Sequence, residues 1–336
     1  MAPKLSVIIP AFNAARCLGE CLAALQRQDC AGDFEVLVVD DASTDLTAEL
    51  ARQAGVSCLR LEQNRGAAAA RNRGVAAAAA ELLLFVDADV ALQAQAISRL
   101  LDFFDRHPEF ASVIGTYTAR STLPNPCSRY HNFFTFYHHD LSGSEVEWFW
   151  GAMGAVRRPA LAAAGGFDER YAGAAAEDIQ LGYELSERGY RIAYFRELCG
   201  DHLHRFSLRS MLWNDYRKAV LGTKLYLTRK RPGRGRHGFS NPDNALALAA
   251  AFGCIGSLPA LLLGLVSWPA PLVCLILFIL VNRKFYRALA RRLGFGFLAQ
   301  AIPLHWLSFL AIAAGTVMGL LGLALGRPAQ GRSSWL

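Results

Sequence analysis

The sequence lacks the cysteine spacings that mark redox motifs, zinc sites and disulfide frameworks. None of its eight cysteines belongs to a C-x-x-C pair, and single cysteines in apolar surroundings are usually buried, reduced thiols. The eight are Cys17, Cys21, Cys30, Cys58, Cys127, Cys199, Cys254 and Cys274. This usage argues against a zinc finger and a disulfide-stapled secreted domain, and it favours a cytoplasmic location for the soluble part of the chain.

Charged residues are scarce in the last third of the sequence. From Asn244 onward the chain is mostly apolar, with one basic interruption at 282–292. Because roughly 20 apolar residues suffice to cross a bilayer, we predict a transmembrane region of about three helices within residues 241–326. The predicted helices cover 244–268, 269–281 and 297–326, and a short tail follows at 327–336.

Basic residues flank these apolar segments in clusters at 229–237 and 282–292. Such clusters mark the cytoplasmic side of a membrane protein. We therefore predict an integral protein of the inner or plasma membrane, with a cytoplasmic front and a third helix that ends outside. The net charge of +7 reflects these clusters and does not indicate nucleic-acid binding. Glycines with G-x-x-x-G spacing in the third apolar segment permit close helix packing, and hence a homo-oligomer formed through these helices.

Residues 1–220 alternate short apolar runs with amphipathic segments of helical length. This β-α-β rhythm predicts an α/β domain with a doubly wound, mostly parallel sheet and helices on both faces. Residues 207–240 then mix aromatic and aliphatic side chains with arginine and lysine. We predict an interfacial helix and a basic linker there, with an ordinary packing helix as the alternative.

Pairs of carboxylates follow two of the predicted strands. Asp40 and Asp41 end the second strand, and Asp87 and Asp89 follow the fourth. Ligands of such sheets bind beyond the carboxyl ends of the strands, so we expect both pairs to face one crevice. Adjacent carboxylates need a positive partner. A nucleoside diphosphate with Mg²⁺ or Mn²⁺ would supply one, because these cations prefer oxygen ligands.

Seven short motifs between residues 4 and 220 stand in the order found in family 2 glycosyltransferases, and the front of the chain resembles that family. They are VIIPAFN, VVDDASTD, NRGAAAARNRG, DAD, GAMGAVRR with GGFDE, EDIQLGYEL and DHLHRFSL. The resemblance implies a GT-A fold and an inverting enzyme that uses a nucleotide-sugar donor.

The resemblance also implies roles for residues on the donor side. Asp41 would contact the nucleobase with Asp40 supporting it, and Arg71 would approach the nucleotide. The implied set of nucleotide-sugar residues is Pro10, Ala11, Asn13, Asp40, Asp41, Arg71, Asp87 and Ala88.

A divalent metal, Mn²⁺ or Mg²⁺, is implied as well. Asp89 would be its carboxylate ligand, together with His202 or His204, and the sequence leaves the choice between the histidines open. An interfacial, non-ligating role is the alternative for either histidine. The residues implied on the acceptor side are Gly151, Arg157, Arg158 and Glu177.

Asp178 is the predicted catalytic base. An inverting transfer needs a base that takes the proton of the attacking acceptor hydroxyl. Asp178 lies at a predicted helix start, where the helix dipole favours an ionised carboxylate. The alternative is that Glu177 and Asp178 only cap this helix.

The predicted reaction is the transfer of one sugar from a nucleotide-diphosphate sugar, UDP-sugars first, to a lipid or lipid-linked acceptor at the membrane. The Q-x-x-R-W motif of processive polysaccharide synthases is missing, which favours single transfer. A polyprenyl-phosphate glycosyltransferase is one alternative, and a transporter or flippase with a nucleotide-binding head is another. The apolar segments contain no acid or lysine of the kind that marks transport.

Overall fold

The computed structural model of the protein describes residues 3–30, 32–171, 176–228 and 242–326. The predicted basic cluster at 229–237 and the predicted tail at 327–336 lie outside these residues. Within the described part, strands occur up to His202, and the chain that follows is helical.

The strands and helices alternate through the front of the chain. The strands are β1 (Leu5–Ala11), β2 (Phe34–Asp40), β3 (Ser57–Arg60), β4 (Leu82–Val86), β5 (Val90–Leu92), β6 (Phe110–Tyr117), β7 (Glu145–Val146), β8 (Met153–Arg157) and β9 (Arg191–His202). The helices of this part are α1 (Leu18–Gln26), α2 (Thr47–Gln53), α3 (Ala67–Ala77), α4 (Ala96–Arg106), α5 (Pro126–Asp140), α6 (Arg158–Ala164) and α7 (Glu177–Glu187). The C-terminal helices are α8 (Leu208–Thr228), α9 (Pro242–Leu262), α10 (Pro269–Val281), α11 (Arg283–Leu293) and α12 (Leu298–Ala324).

The strands form one sheet in the order β3-β2-β1-β4-β8-β6-β9-β5, with β7 also paired to β9. The pairings from β3 to β4 are parallel. Beyond β4 the sheet is mixed, because β8 runs antiparallel to both β4 and β6. The predicted α/β class is confirmed, and β2, β1 and β4 end at the same edge of the sheet.

Alternation along β1 shows that the sheet is covered on both faces. Val7 and Ile9 belong to a core cluster that includes side chains of α1 and α4. Ile8 belongs to a second cluster with side chains of α3, α6 and α7. Successive strand residues point to opposite faces, so both faces of this strand are apolar and buried, as the uninterrupted apolar runs predict.

The C-terminal helices form a third apolar cluster together with α5. Phe133, Phe278, Phe285 and Phe309 are among its buried side chains. Helices α9 and α10 pack as a hairpin, in which a Cβ at Gly253 would meet the sulfur of Cys274 at 3.0 Å. The apolar region is therefore continuous with the front domain through α5.

Two apolar helices of the described chain are long enough to cross a membrane, judged by length and composition. They are Ala245–Leu262 and Phe295–Ala324. The segment predicted as the second span is the 13-residue α10, which is about 20 Å long and shorter than a hydrocarbon core of about 30 Å. The described residues thus contain two candidate spans of full length and one shorter apolar helix, where the sequence predicts about three spans.

Helix α8 packs lengthwise on α12 through the glycines of the third apolar segment. A Cβ at Gly315 would come within 2.4 Å of the carbonyl oxygen of Tyr216, and one at Gly319 within 2.9 Å of Thr223. The small residues therefore serve an intramolecular contact, and this face of α12 is not free for a second copy of the chain. Helix α8 therefore has a packing role along α12, and the interfacial position predicted for it stays a prediction.

Candidate active site

The two aspartates after β2 anchor the surrounding loops. Oδ1 of the buried Asp40 accepts a hydrogen bond from the N–H of Ser43 at 3.0 Å. The carboxylate oxygens of Asp41 accept hydrogen bonds from the N–H groups of Arg65 at 2.7 Å and Gly66 at 2.8 Å. Burial raises the pKa of Asp41 above its ordinary value. Asp41 thus ties the end of β2 to the start of α3.

The end of β1 lies directly beside Asp41. The N–H of Asp41 donates to the carbonyl oxygen of Ala11 at 2.8 Å, and Pro10 precedes Ala11 in β1. Asn13 has a left-handed backbone with φ 50°, and its side-chain oxygen accepts a hydrogen bond from the N–H of Thr44 at 2.9 Å. The predicted donor residues of β1 and β2 are therefore neighbours in space.

Arg71 joins two carboxylates from distant parts of the sequence. Its Nη1 donates to Oε1 of Glu177 at 2.8 Å, and its Nη2 donates to Oδ1 of Asp87 at 2.9 Å. Arg71 and Glu177 are buried, whereas the Asp87 side chain is 35% exposed. Burial alone would lower the pKa of Arg71, but these carboxylates raise it above its ordinary value. The guanidinium is the positive partner that paired carboxylates need.

Asp178 lies in the first turn of α7, next to this bridge. Its Oδ2 accepts a hydrogen bond from the N–H of Gly151 at 3.0 Å, and its Oδ1 accepts one from the N–H of Ile179 at 2.8 Å. Gly151 also lies against Arg71, because a Cβ at this glycine would come within 2.8 Å of the guanidinium carbon. Burial, followed by the charge of Glu177, raises the pKa of Asp178 to about 6. That value suits a general base near neutral pH.

Two histidines converge on Asp89. Nε2 of His202 lies 3.5 Å and Nδ1 of His204 lies 3.7 Å from Oδ2 of Asp89. Antiparallel pairing of Val90 in β5 with His202 in β9 brings them together. Burial alone would raise the pKa of Asp89, but the two imidazoles hold it below its ordinary value. The Asp89 side chain is 30% exposed, so a ligand can reach it.

The donor atoms around Asp89 fit a divalent cation. Within the described residues, no group of three or more His, Cys, Asp and Glu side chains is already arranged as a metal site. A carboxylate oxygen and two imidazole nitrogens nevertheless converge here, and this mixed set suits Mn²⁺ better than the all-oxygen preference of Mg²⁺. Oδ1 of Asp87 is engaged by Arg71, which leaves Asp89 as the better carboxylate ligand.

Further aromatic side chains, which the sequence motifs do not indicate, lie beside His202 and His204. Tyr117 stacks on His202 with ring centroids 4.3 Å apart and planes 9° apart. Trp150 meets Tyr117 edge-on at 4.8 Å and His139 at 4.5 Å. The ring centroid of His131 lies 6.2 Å from that of His202. The position of Tyr117 at the end of β6 was the available sequence signal, since β6 ends on the side where ligands bind.

Arg157 and Arg158 are not part of this site, contrary to the acceptor-side prediction. Antiparallel pairing of β8 with β4 places Arg157 beside Leu82, at the opposite end of β4 from Asp87. Both guanidinium groups donate to backbone carbonyl oxygens, and Arg157 borders a separate cavity of about 610 Å³. These arginines stabilise the far end of the sheet.

Two other residues that were predicted to bind substrates have buried side chains. Glu177 is 2% exposed, and its side chain binds Arg71; it therefore supports the site from inside and does not line the acceptor side. Ala88 is 7% exposed and belongs to the apolar core.

Comparison with known proteins agrees with this geometry. A sequence profile of the family described as glycosyl transferase family 2 matches residues 6–164. That range contains the ends of β1, β2 and β4, Arg71 and Gly151, and it stops before Asp178 and the two histidines.

The chain is also similar to curated glycosyltransferases. It is 32% identical over 251 residues to the validoxylamine A glucosyltransferase of Streptomyces hygroscopicus subsp. jinggangensis, across 63% of this chain and 59% of that protein. It is 28% identical over 332 residues to the pre-mycofactocin glycosyltransferase of Mycobacterium tuberculosis, across 95% of this chain and 66% of that protein. The chain thus spans about 59% to 66% of the length of these relatives.

The fold is similar to that of a solved structure, the mannosyltransferase PcManGT from Pyrobaculum calidifontis in complex with GDP-Man and Mn²⁺. The TM-score is 0.60 at 20% identity, with 94% of this chain and 88% of that chain covered. The profile match identifies a glycosyl transferase family 2 domain within residues 6–164, and the relatives and the GT-A-type fold agree with this assignment.

Proposed function

We propose that the protein transfers a single sugar from a nucleotide-diphosphate sugar to a lipid or lipid-linked acceptor, with inversion and with Asp178 as the base. The observation that carries this proposal is the position of Gly151. Its N–H binds Asp178, and its backbone lies against Arg71, which binds Asp87. One contact chain therefore joins the proposed base to the proposed donor side.

Donor binding is assigned to the common edge of β1, β2 and β4. Asp41 holds the loop at Arg65 and Gly66 through both of its carboxylate oxygens. In this role Asp41 shapes the nucleoside pocket by fixing that loop, and Asp40 and Asn13 fix the loops on its other side. UDP-sugars are the first donors to test, and GDP-sugars come next because the similar mannosyltransferase structure contains GDP-Man.

Asp89, His202 and His204 would hold the divalent metal of this reaction. When bound there, Mn²⁺ or Mg²⁺ would supply electrophilic stabilisation to the departing nucleoside diphosphate. The pairing of β5 with β9 holds His202 close to Asp89, and the stacked ring of Tyr117 orients the His202 imidazole. Either histidine reaches the same carboxylate oxygen, and we assign both to the site.

Asp178 would take the proton of the acceptor hydroxyl. Two backbone N–H groups fix both of its oxygens, which orients the carboxylate before the acceptor arrives. Trp150 precedes Gly151 in the sequence and is partly exposed. Its indole, which rests edge-on against the buried ring of Tyr117, would give the acceptor an aromatic contact beside the base.

The lipid acceptor is proposed from the C-terminal helices. Many large apolar side chains of α9, α10 and α12 are exposed, which is unusual for a soluble monomer and typical of a membrane-interacting surface. We propose residues 1–220 as the catalytic domain, facing the cytoplasm, and residues 241–326 as the membrane attachment. A lipid acceptor would then reach the site without leaving the bilayer.

The test is a product assay with the purified full chain in lipid. Incubation with a panel of UDP- and GDP-sugars, Mn²⁺ and a lipid extract should yield one glycosylated lipid, identified by mass spectrometry, together with the free nucleotide. The Asp178→Asn variant should form product roughly a hundred-fold more slowly or worse, whereas Asp102→Asn, at an exposed position on α4, should behave like the parent. A sugar product that forms equally well with Asp178→Asn would contradict the assigned base.

A further inference from the structure

The turn between α9 and α10 is apolar, and its large side chains are exposed on the protein surface. Leu262 is 88% exposed, Leu265 74% and Trp268 73%. No charged residue occurs between Asp243 and Arg283. The turn of a hairpin that crosses a bilayer reaches water on the far side and is usually polar, whereas a turn that stays in lipid is apolar. The composition of this turn indicates that it ends inside the hydrocarbon region.

The part of the α9–α10 hairpin that extends beyond the protein core is also too short to cross a bilayer. Ala251 of α9 and Phe278 of α10 are fully buried in the cluster shared with α5. From Ala251 to Leu262, and from Phe278 back to Trp268, each arm extends about 15 Å at 1.5 Å per residue. That reach is about half of a hydrocarbon core of about 30 Å, which is the depth of one leaflet.

Helix α12 is long enough to cross a bilayer, but its packing against α8 prevents this. The side chain of Ser308 donates a hydrogen bond to Asp215 of α8, and a Cβ at Gly322 would meet the Lys224 side chain at 2.8 Å. The two helices therefore run side by side over the stretch of α12 from Ser308 to Gly322, about 21 Å at 1.5 Å per residue.

Helix α8 in turn contacts the front of the chain at three points along its length. Met211 packs in the cluster with α5, Nδ2 of Asn214 lies 3.2 Å from Nε2 of His131, and Leu225 is part of the core under the sheet. The helix also has five charged side chains, Arg209, Asp215, Arg217, Lys218 and Lys224. Charged groups are costly in hydrocarbon, so α8 cannot follow α12 through a bilayer.

The opposite face of α12 is apolar and exposed. Its exposed side chains include Val317, Met318, Leu320, Leu321 and Leu325. Helix α12 also packs on α9, so the exposed apolar residues of the hairpin and of α12 belong to neighbouring helices.

A basic helix borders this surface. Helix α11 buries Phe285 and Leu289 in the protein and has no acidic residue. Its exposed side chains are Arg283, Lys284, Arg287, Arg291 and Arg292. Because the apolar side of α11 is already covered by protein, its cationic side is free for anionic headgroups at the rim of the bilayer.

We propose that the protein is monotopic: the α9–α10 hairpin dips into one leaflet, α12 lies along the membrane surface, and α11 binds anionic phospholipid headgroups. This proposal rests on the membrane attachment in the proposed function, and it replaces the three crossings that the sequence predicts. It places the end of α12 on the same side of the membrane as the active site.

The experiment measures which positions a membrane-impermeant maleimide can reach in the full chain. Leu265→Cys probes the hairpin turn, and Arg106→Cys, at an exposed position on α4, is the matched control. Both are labelled in right-side-out and inside-out bacterial membrane vesicles, and peptide mass spectrometry separates each site from the native cysteines. We expect Arg106→Cys to react from one face only and Leu265→Cys to lose labelling from both faces, with reaction restored in detergent.

Two outcomes would overturn the proposal, and each has a different meaning. Reaction of Leu265→Cys from the face opposite Arg106→Cys would mean that the hairpin crosses the bilayer. Reaction from the same face would mean that the turn is not in lipid, which would also remove the membrane attachment from the proposed function. Sugar transfer measured on the same vesicles reports separately on the catalytic part of that function.

The role of α11 has its own test. Purified full chain is reconstituted with phosphatidylcholine vesicles that contain or lack phosphatidylglycerol, and recovery in the floated fraction is measured. We expect higher recovery with the anionic lipid and loss of this difference in Arg287→Glu/Arg291→Glu, with no loss in the control Arg106→Glu. Equal recovery of the parent with both lipids would overturn the contact between α11 and headgroups.

Discussion

The backbone of Gly151 lies against the guanidinium group of Arg71, so closely that a Cβ at this position would come within 2.8 Å of the guanidinium carbon. The same residue donates its N–H to Asp178. The site therefore depends on a residue without a side chain at the point where the base and the arginine bridge meet.

Gly151→Ala should impair the enzyme strongly. The added methyl group must displace either Arg71 or the backbone N–H of residue 151 that binds Asp178, and overpacking of this kind costs about 1–3 kcal/mol. We expect a lower kcat in the sugar-transfer assay. Gly19→Ala is the control, since a Cβ at Gly19 meets nothing within 4 Å; equal kcat values for the two variants would contradict the contact.

Arg71→Ala should lower the free energy of unfolding. It leaves Glu177 buried without its cation, and breaking a buried ion pair from one side costs roughly 3–5 kcal/mol. Denaturant titration of the purified protein measures the effect. Arg52→Ala removes an exposed pair with Glu49 and should cost about 0–1 kcal/mol, so similar losses in both variants would argue against the bridge.

The rate of sugar transfer should fall as the pH drops through about 6. Asp178 has a pKa of about 6, and its protonated form cannot accept the acceptor proton. Asp178→Asn should lower kcat by roughly a hundred-fold or more and abolish this pH dependence. A pH–rate profile between 5 and 8 tests both points, and an unchanged profile in the variant would exclude Asp178 as the titrating base.

The same raised pKa has an opposite consequence for stability. The folded protein binds the Asp178 proton more tightly than the unfolded chain, so the stability that this group contributes is present below the pKa of an unfolded aspartate and is lost as the pH rises through about 6. Asp178→Asn should therefore be more stable than the parent at pH 7 while being inactive. A variant that is both inactive and less stable would indicate a structural role.

Asp89→Ala should abolish metal binding in the presence of the nucleotide. Titration of Mn²⁺ followed by electron paramagnetic resonance gives a readout that does not depend on turnover. Asp102→Ala, at an exposed position, is the control. Undiminished Mn²⁺ binding by Asp89→Ala would show that other residues bind the metal. In a separate test, chelation of the metal by EDTA should stop sugar transfer by the parent enzyme.

The carboxylates at the edge of the sheet were predictable because they depend on local pattern. An apolar run followed by aspartate places the carboxylate at the carboxyl end of a buried strand, and parallel strands bring such ends to one edge. Asp41 and Asp87 could be placed in this way without any knowledge of distant contacts.

The partners of these residues were not predictable in the same way. Glu177 reaches Arg71 from 106 positions away in the sequence, and no local pattern indicates that contact. The resemblance of the GAMGAVRR motif implied an acceptor-side position for Arg157 and Arg158, whereas the antiparallel pairing of β8 with β4 places Arg157 beside Leu82, at the other end of β4. The direction of a strand depends on the path of the whole chain.

The apolar C-terminal segments show a different limit. Hydropathy identifies helices that avoid water, but it does not distinguish a helix that crosses a bilayer from one that lies against protein on one side and lipid on the other. The glycines of α12 were read as a surface for another helix, and that helix is α8 of the same chain.

The packing of α8 against α12 limits how far this protein can be truncated for experiments. A fragment that stops after Thr228 would retain α8 but remove Ser308 and the glycine face that cover it, leaving Asp215 without the hydroxyl group that donates to it. Asn214 of α8 also contacts His131 of α5, whose ring lies 6.2 Å from the ring of His202. Removing the apolar C-terminal helices to gain solubility would thus weaken the packing of α8 that supports the histidine region. Crystallisation and screening should therefore use the whole chain in detergent or lipid.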